Sequence, residues 1–334
     1  MSNQSGEKNR RTFAELIAIR GVALACMFGA LALGLYVTHR GEQLRAFKRA
    51  RANGSLVDPP HCPTIEQQVE ARLESDELDE VSGMVASRDQ PGLFWVHNDS
   101  GDEARIFAVG RDGALRAEVT LEGVDARDFE DISLFAREGA PDLLYVADTG
   151  NNLKQRKTVQ LHLLEEPNVP RDNALRKLSR KVQTVEITYE DGTHDVEAMF
   201  VDARGDVYMI TKAHLLARDE LDGVYRVTAA QMKQRRAVAH RVASVPAGPA
   251  TAAAVSPDGR AVAVRNYWVA LWWPIKEGET PADAFQAPPC HLWLRESTRQ
   301  GEALTFQLDG SGFLTLSEGE HSHFLRYTYG PPKQ

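Results

Sequence analysis

The sequence has little cysteine, no excess of positive charge and none of the common catalytic motifs. Three cysteines occur in 334 residues, and the formal net charge is −8. The negative balance argues against a nucleic-acid partner, because phosphate binding needs a basic face. The chain lacks a Gly-x-Ser-x-Gly elbow, a phosphate-binding Gly-rich loop, a dinucleotide fingerprint and a His-Glu-x-x-His pair. None of the enzyme classes that these motifs mark is therefore indicated.

The first sixty residues differ in composition from the rest. Residues 21–37 carry no charge, and at about 1.5 Å per residue they nearly cross a hydrocarbon core of roughly 30 Å. We predict a cytoplasmic N-terminal segment at 1–15, a transmembrane anchor at 16–38, a tether at 39–62 and a folded domain at 63–330. A cleaved signal peptide is the alternative, although no clear cleavage site follows the apolar run.

The orientation of this anchor is not decided by charge, because Lys and Arg residues flank the apolar run on both sides. Cysteine usage is more informative. Cys62 and Cys290 are the two cysteines outside the apolar run, and such a pair is compatible with a disulfide in an oxidising compartment. Two unpaired buried thiols are the other possibility. We expect a single-pass inner-membrane protein with a periplasmic or other extracytoplasmic domain.

Helical periodicity is scarce beyond residue 64, with candidate helices only around residues 173–181 and 228–234. Short apolar runs separated by Gly, Asp and Asn predict an all-β domain. A four-strand pattern recurs, beginning at EVSGMVAS, FEDISLF, DVEAMFVDARG, ATAAAVSPDGR and GEALTFQLDG. The last unit shows three strands, and IEQQVEARLE at residues 65–74 can supply the fourth and close a ring. The prediction is a β-propeller of five blades, with six as the alternative because residues 152–196 can conceal irregular strands.

Several segments resemble a known group of proteins. SGMVASRDQPGLFWVHNDSGD, DFEDISL, LLYVADTGNN, AAAVSPDGRAVAVRNY and LSEG are similar to uncharacterised bacterial secreted or membrane-anchored β-propellers, which are loosely related to phytase-like and calcium-dependent esterase or lactonase propellers. The resemblance covers about residues 80–329 and implies the fold rather than a reaction. Several members have Asp-x-Gly-Asp-Asn where this chain has Asp148-Thr149-Gly150-Asn151-Asn152, so an amide replaces one carboxylate.

Carboxylates mark the start of the most apolar strands, where several of them are expected to converge on the propeller axis. Crowded carboxylates need a neutralising cation, and Ca²⁺ binds roughly six to eight oxygens. The candidate metal ligands on these strands are Glu80, Glu130, Asp131, Glu197 and Glu302. The candidates in nearby turns are Asn98, Asp99, Asp148 and Asn151. The alternatives are turn residues that bond to their own backbone and a salt-bridge ring with Lys212 and Arg265.

His97 adjoins the densest polar cluster, so it is the candidate general base. Two functions follow from the whole pattern. The first is a binding module that holds a protein or a small-molecule ligand at the channel mouth. The second is a Ca²⁺-dependent hydrolase acting on phosphate esters, esters or lactones. The first is preferred, because fold analogy alone is a weak argument for chemistry.

Overall fold

The computed structural model describes residues 59, 61–172, 174–213, 221–295 and 300–332. The chain separates into two parts between Val57 and Asp58, and the described residues all lie in the second part. The predicted anchor at 16–38 and most of the tether lie outside the described residues. Within the described residues, no helix is both long and apolar enough to span a membrane.

The described part of the chain is almost entirely β-structure. Its strands are β1 (Pro63–Arg72), β2 (Val81–Ala86), β3 (Leu93–Asn98), β4 (Arg105–Gly110), β5 (Leu115–Glu122), β6 (Phe129–Phe135), β7 (Leu143–Asp148), β8 (Val159–Glu165), β9 (Arg176–Lys181), β10 (Gln183–Tyr189), β11 (Val196–Val201), β12 (Val207–Thr211), β13 (Asp222–Val227), β14 (Arg236–Val245), β15 (Ala252–Val255), β16 (Ala261–Arg265), β17 (Val269–Pro274), β18 (Cys290–Trp293), β19 (Gly301–Phe306), β20 (Gly312–Ser317) and β21 (His323–Pro332). Two short helices, Ala229–Met232 and Pro281–Ala284, interrupt them.

The strands pair in antiparallel groups of four. Group 1 is β2–β5, group 2 is β6–β8 with β10, group 3 is β11–β14, group 4 is β15–β18, and group 5 is β19–β21 with β1. Parallel pairing of β10 with β14 joins groups 2 and 3 into one eight-stranded sheet. β1 pairs with β21 along its length, which is the pairing predicted for residues 65–74.

The first strand of each group, here called the inner strand, makes its most extensive inner-strand contacts with those of two neighbouring groups. The contacts follow the order β2, β6, β11, β15, β19 and back to β2. Side chains tie some neighbours together, since the Val201 amide donates to Ser133 Oγ at 3.0 Å and the Ala86 amide donates to Thr305 Oγ1 at 3.0 Å. This nearly all-β, propeller-like arrangement agrees with the predicted fold class.

The apolar core lies between neighbouring groups. Trp95 of group 1 packs in one cluster with Leu144 and Val146 of group 2, and Phe107 of group 1 packs in another with Leu316 of group 5. Burying side chains of this size contributes about 1.5–3 kcal/mol each. Group 1 therefore buries apolar side chains against a different neighbour on each of its faces.

The predicted helix near residues 173–181 is wrong, because residues 176–181 form strand β9. This strand leaves group 2 after β8 and pairs in parallel with β5 of group 1. Its exposure alternates along the chain, as expected for a strand at the outer edge of a sheet. Tertiary pairing with an available edge outweighs the local helical pattern. The polar, basic sequence also suits an edge strand, because charge discourages further pairing.

Cys62 and Cys290 form a disulfide bond. Cys62 lies just before β1, and Cys290 begins β18 in group 4. Both residues are buried in the apolar cluster between groups 4 and 5. The bond therefore ties the beginning of the domain to a group that lies late in the sequence.

Candidate metal centre

The strand register brings the candidate ligands of different groups to one end of the strands. The start of each inner strand lies opposite the end of the second strand, as in Phe129 with Asp148 and Gly301 with Ser317. The residues that precede β11 and follow β20 therefore face the same end of the molecule. We call this end the mouth.

Bulges aim three glutamates into the mouth. The pairing of the inner strand with the second strand skips Glu130 in group 2, Glu197 in group 3 and Glu302 in group 5. Group 1 has the same irregularity at Ser82. A bulge bends the strand and redirects one side chain, and bulges are common beside functional sites.

Seven carboxylates meet there, and we call them the acidic mouth: Asp99, Asp128, Glu130, Asp195, Glu197, Glu302 and Glu318. They form three overlapping triads with carboxylate oxygens within 4.8 Å of one another. Asp99 belongs to two triads, and Glu130 also belongs to two. The triads are therefore linked into one continuous set of oxygen donors.

The charge of Lys212 lowers the pKa values of Glu130, Glu197 and Glu302, but one ammonium group offsets only part of the negative charge of seven carboxylates. Glu130 is 3% exposed and Glu302 is 5% exposed, and neither side chain has a hydrogen-bond or ion-pair partner in the described part of the chain. Lys212 Nζ lies 2.5 Å from Glu197 Oε2. Burying an ionised carboxylate without a partner is costly, so this arrangement favours a cation.

The pKa values of these carboxyl groups reflect that cost. Burial, followed by the charge of Glu197, raises the pKa of Glu130 well above its ordinary value. Burial and then Glu318 do the same to the pKa of Glu302. The pKa of Glu197 rises to about 7, mainly through burial and despite Lys212. The pKa of Asp128 rises to about 6 through burial and then the charge of Asp99.

Gly150 leaves the space that two of these carboxylates occupy. A Cβ atom at this position would overlap Glu130 Oε1 and the carboxylate of Asp128. The acidic mouth therefore requires glycine at this position of the DTGNN segment, because any side chain would displace the two carboxylates. The backbone here can accommodate other residues, so the constraint is spatial.

We expect Gly150→Ala to weaken Ca²⁺ binding at least about tenfold, because displaced carboxylates lose ligand geometry. Isothermal titration calorimetry with CaCl₂ measures this. Gly139→Ala is the control, since Gly139 lies in the β6–β7 hairpin at the other end of group 2 and has open space around it. That variant is strained at positive φ, so it should lose stability but keep its Ca²⁺ affinity. Equal affinities for wild type and Gly150→Ala would contradict the role assigned to this glycine.

Asp131 takes a different position from its neighbour Glu130. Its side chain is fully buried, and Oδ2 accepts from the backbone amides of Met199 at 2.8 Å and Ala253 at 3.2 Å. Oδ1 accepts from the amide of Ile132. Asp131 thus connects three inner strands, β6, β11 and β15, and is not among the described acidic triads.

His97 is also buried rather than exposed to the mouth. Its Nδ1 lies 2.8 Å from the carbonyl oxygen of Asn98, and its ring packs edge-on against Phe129. Burial lowers the pKa of His97, which favours the neutral ring. In this position the histidine packs between groups 1 and 2.

The remaining predicted ligands mostly stabilise local turns. Asn98 Nδ2 donates to the carbonyl of Glu77 at 2.7 Å, and Asn151 Nδ2 donates to the carbonyl of Arg156 at 3.0 Å. Asp148 lies 2.8 Å from Arg156. Glu80 is exposed. Partial desolvation of its carboxyl group, followed by the charges of other acids, raises its pKa.

The structure therefore brings together four predicted ligands: Asp99, Glu130, Glu197 and Glu302. It adds Asp128, Asp195 and Glu318, which sequence reasoning missed. A signal was present for two of them, because Asp128-Phe-Glu130 and Asp195-Val-Glu197 repeat an Asp-x-Glu pattern at the start of an inner strand.

Comparisons with known proteins do not assign a family. No protein-family model matches the sequence, and no curated protein matches it. A solved structure titled "Crystal structure of Nidogen/Laminin Complex" is similar, with 12% identity and a TM-score of 0.42, over 71% of this chain and 72% of that chain. The function is therefore inferred from the geometry of the site.

Proposed function

We propose that this protein is a membrane-anchored, five-bladed β-propeller that binds Ca²⁺ at the acidic mouth and presents the bound ion to a ligand or partner protein. The observation that carries the proposal is the burial of Glu130 and Glu302 without hydrogen-bond or ion-pair partners in the described residues. Both carboxylates belong to a continuous set of seven. A cation at this position removes the cost of their charge.

The donor chemistry supports Ca²⁺ over softer or smaller ions. All seven donors are carboxylates, and hard cations prefer oxygen ligands. Ca²⁺ accepts six to eight oxygens in flexible geometry, whereas Mg²⁺ requires near-ideal octahedral geometry and keeps several waters. Three linked triads built from several strands and loops suit the more adaptable ion.

Five blades are supported by the pairing of the strands. Each of the five groups has four antiparallel strands, and their inner strands contact one another in a ring. β9 is an addition to the edge of group 1 rather than part of a sixth blade. In this interpretation β1 completes the last blade and closes the ring.

An extracytoplasmic location is supported by the Cys62–Cys290 disulfide, because such bonds persist in oxidising compartments. The uncharged run at 21–37 is suited to an N-terminal anchor. Together they favour a domain held at the outer side of the inner membrane, in the periplasm.

Metal content and thermal unfolding test the proposal. Elemental analysis of the purified protein should find Ca²⁺ in a stoichiometric amount, and removal with EGTA should lower the Tm by at least about 5 °C. In a domain of this size 1 kcal/mol moves the Tm by about 2–4 °C. Absence of bound metal, together with a Tm unaffected by EGTA and by added CaCl₂, would refute it.

A hydrolase is the second candidate, and Lys212 is the observation that favours it. Its ammonium group lies beside Glu197, close to the proposed ion, where a cation can stabilise negative charge developing on a substrate oxygen. Ca²⁺-dependent turnover of a phosphate ester, an ester or a lactone that is lost in folded Lys212→Met would support this function. Ligand binding without turnover would support the binding module.

A further inference from the structure

A basic cleft lies at the end of group 1 opposite the mouth. It has a volume of about 350 Å³. Its walls come from the β2–β3 hairpin at Gln90–Leu93, from the β4–β5 hairpin, and from residues 169–171 after β8. The register confirms the location, because Leu93 pairs with Gly110, whereas the mouth lies beyond Asn98 at the other end of β3.

The departure of the chain from group 2 towards β9 creates the cleft. Gln90 holds this segment in place, since its Nε2 donates to the carbonyl of Pro167 at 3.0 Å and its Oε1 accepts from the amide of Val169 at 2.7 Å. On the same segment, Glu166 Oε1 accepts a hydrogen bond from Trp95 Nε1 at 2.8 Å. The walls are thus positioned by buried and partly buried hydrogen bonds.

Three arginines line the cleft, Arg111 and Arg116 from the β4–β5 hairpin and Arg171 from the segment after β8. The lining contains one carboxylate, that of Asp112, so positive charge prevails here on a protein whose net charge is −8. Gly110 makes room for Asp112 and Arg116, because a Cβ there would lie 2.5 Å from Asp112 Oδ1 and 3.1 Å from Arg116 Nη2. Arg116 is in turn ion-paired with Asp112.

The other two arginines retain donors for a ligand. Arg111 contacts Glu70 through Nε at 3.2 Å, and Glu70 also has Arg326 at 2.9 Å as a partner. Arg171 is exposed and has no ion-pair partner among the described residues. Guanidinium groups match the oxygens of a phosphate group and bind them through paired hydrogen bonds.

We propose that this cleft binds a phosphate group, carried either by a small soluble molecule or by a lipid headgroup. Pro91, Leu93, Val169 and Pro170 form the remaining walls and contact the less polar part of the ligand. The site is independent of the acidic mouth, which lies at the other end of the strands and attracts cations.

Phosphate binding by the full-length protein tests this inference, with EGTA present so that Ca²⁺ at the mouth does not contribute. Inorganic phosphate and glycerol 3-phosphate are titrated by calorimetry, and short-chain phosphatidylglycerol is compared with short-chain phosphatidylcholine by the same method. The double variant Arg111→Gln/Arg171→Gln should weaken binding at least tenfold. It leaves Glu70 paired with Arg326, and its Tm serves as the check on folding.

Arg235→Gln is the matched control, because Arg235 is exposed and lies outside the cleft lining. It should bind as wild type does. Binding of the soluble phosphates identifies a small-molecule site, and binding only of phosphatidylglycerol identifies a headgroup site. Failure of wild type to bind any of these probes, or equal losses in Arg235→Gln and the double variant, would overturn the inference.

Discussion

Replacing Glu130 and Glu302 together with glutamine should abolish Ca²⁺-dependent stabilisation and should make the metal-free protein more stable at pH 8. Each substitution removes a buried acid whose ionisation is opposed by burial and only partly favoured by the charge of Lys212. An uncompensated buried charge costs several kcal/mol, so a gain of about 1–3 kcal/mol is expected without metal. The same change removes two charged ligands and should weaken Ca²⁺ binding roughly 100-fold or more.

The opposite signs of the two effects distinguish a metal site from a structural role. Calorimetric titration gives the affinity, and thermal melts with EGTA give the metal-free stability. Glu138→Gln is the control, because Glu138 is exposed in the β6–β7 hairpin at the other end of group 2, and it should change neither quantity. A double variant that is less stable than wild type in EGTA, yet keeps full Ca²⁺ affinity, would contradict the assignment.

Removing the disulfide by Cys62→Ser and Cys290→Ser should lower the free energy of unfolding by about 2–5 kcal/mol. The bond closes a loop with a sequence separation of 228, and a constraint on the unfolded chain grows with loop length. It also holds the start of β1, which supplies the outer strand of group 5. Urea denaturation of the variant and of the oxidised wild type measures the difference.

Reduction of wild type provides the control for the serine side chains, which introduce two hydroxyl groups into an apolar cluster. Fully reduced wild type should lose most of the same stability, with the remainder attributable to the hydroxyls. Equal denaturation midpoints for oxidised and reduced wild type would show that the bond does not stabilise closure of the domain.

The repeated strand pattern predicts much of the fold because each inner strand is buried on both faces and reads as an apolar run. The closing strand at residues 65–74 was predictable for the same reason, since its alternation suits a half-exposed outer strand. The path of β9 was not predictable from local sequence. Its position depends on the free edge of β5, which is more than fifty residues away in the chain.

The candidate site was predicted in part. Glu130, Glu197 and Glu302 could be identified because carboxylates at the start of apolar strands are expected to be buried and to require a neutralising partner. The separation of Glu130 from Asp131 could not be foreseen, because only the bulge sends one to the mouth and the other to the backbone amides of Met199 and Ala253. Turn residues such as Asn151 have the same sequence signal whether they bond to the backbone or to an ion.

The pH dependence of the stabilisation by Ca²⁺ tests the central claim most directly. The unfolded glutamates titrate near 4.5, whereas the pKa of Glu197 is raised to about 7 in the fold and those of Glu130 and Glu302 are also raised. Their contribution to stability is therefore fully present below pH 4.5; the part due to Glu197 is lost as the pH rises through about 7, and the parts due to Glu130 and Glu302 are lost as the pH rises through their own raised pKa values. Ca²⁺ restores it by compensating the ionised carboxylates.

The measurement is the Tm with CaCl₂ minus the Tm with EGTA, taken at pH 5 and at pH 8. Other buried groups titrate in this range, including His97, whose lowered pKa acts in the opposite direction, but they contribute equally to both curves. The account predicts a difference of at least about 5 °C at pH 8 and a much smaller one at pH 5. No difference at either pH, or a larger one at pH 5, would contradict a cation site in the acidic mouth.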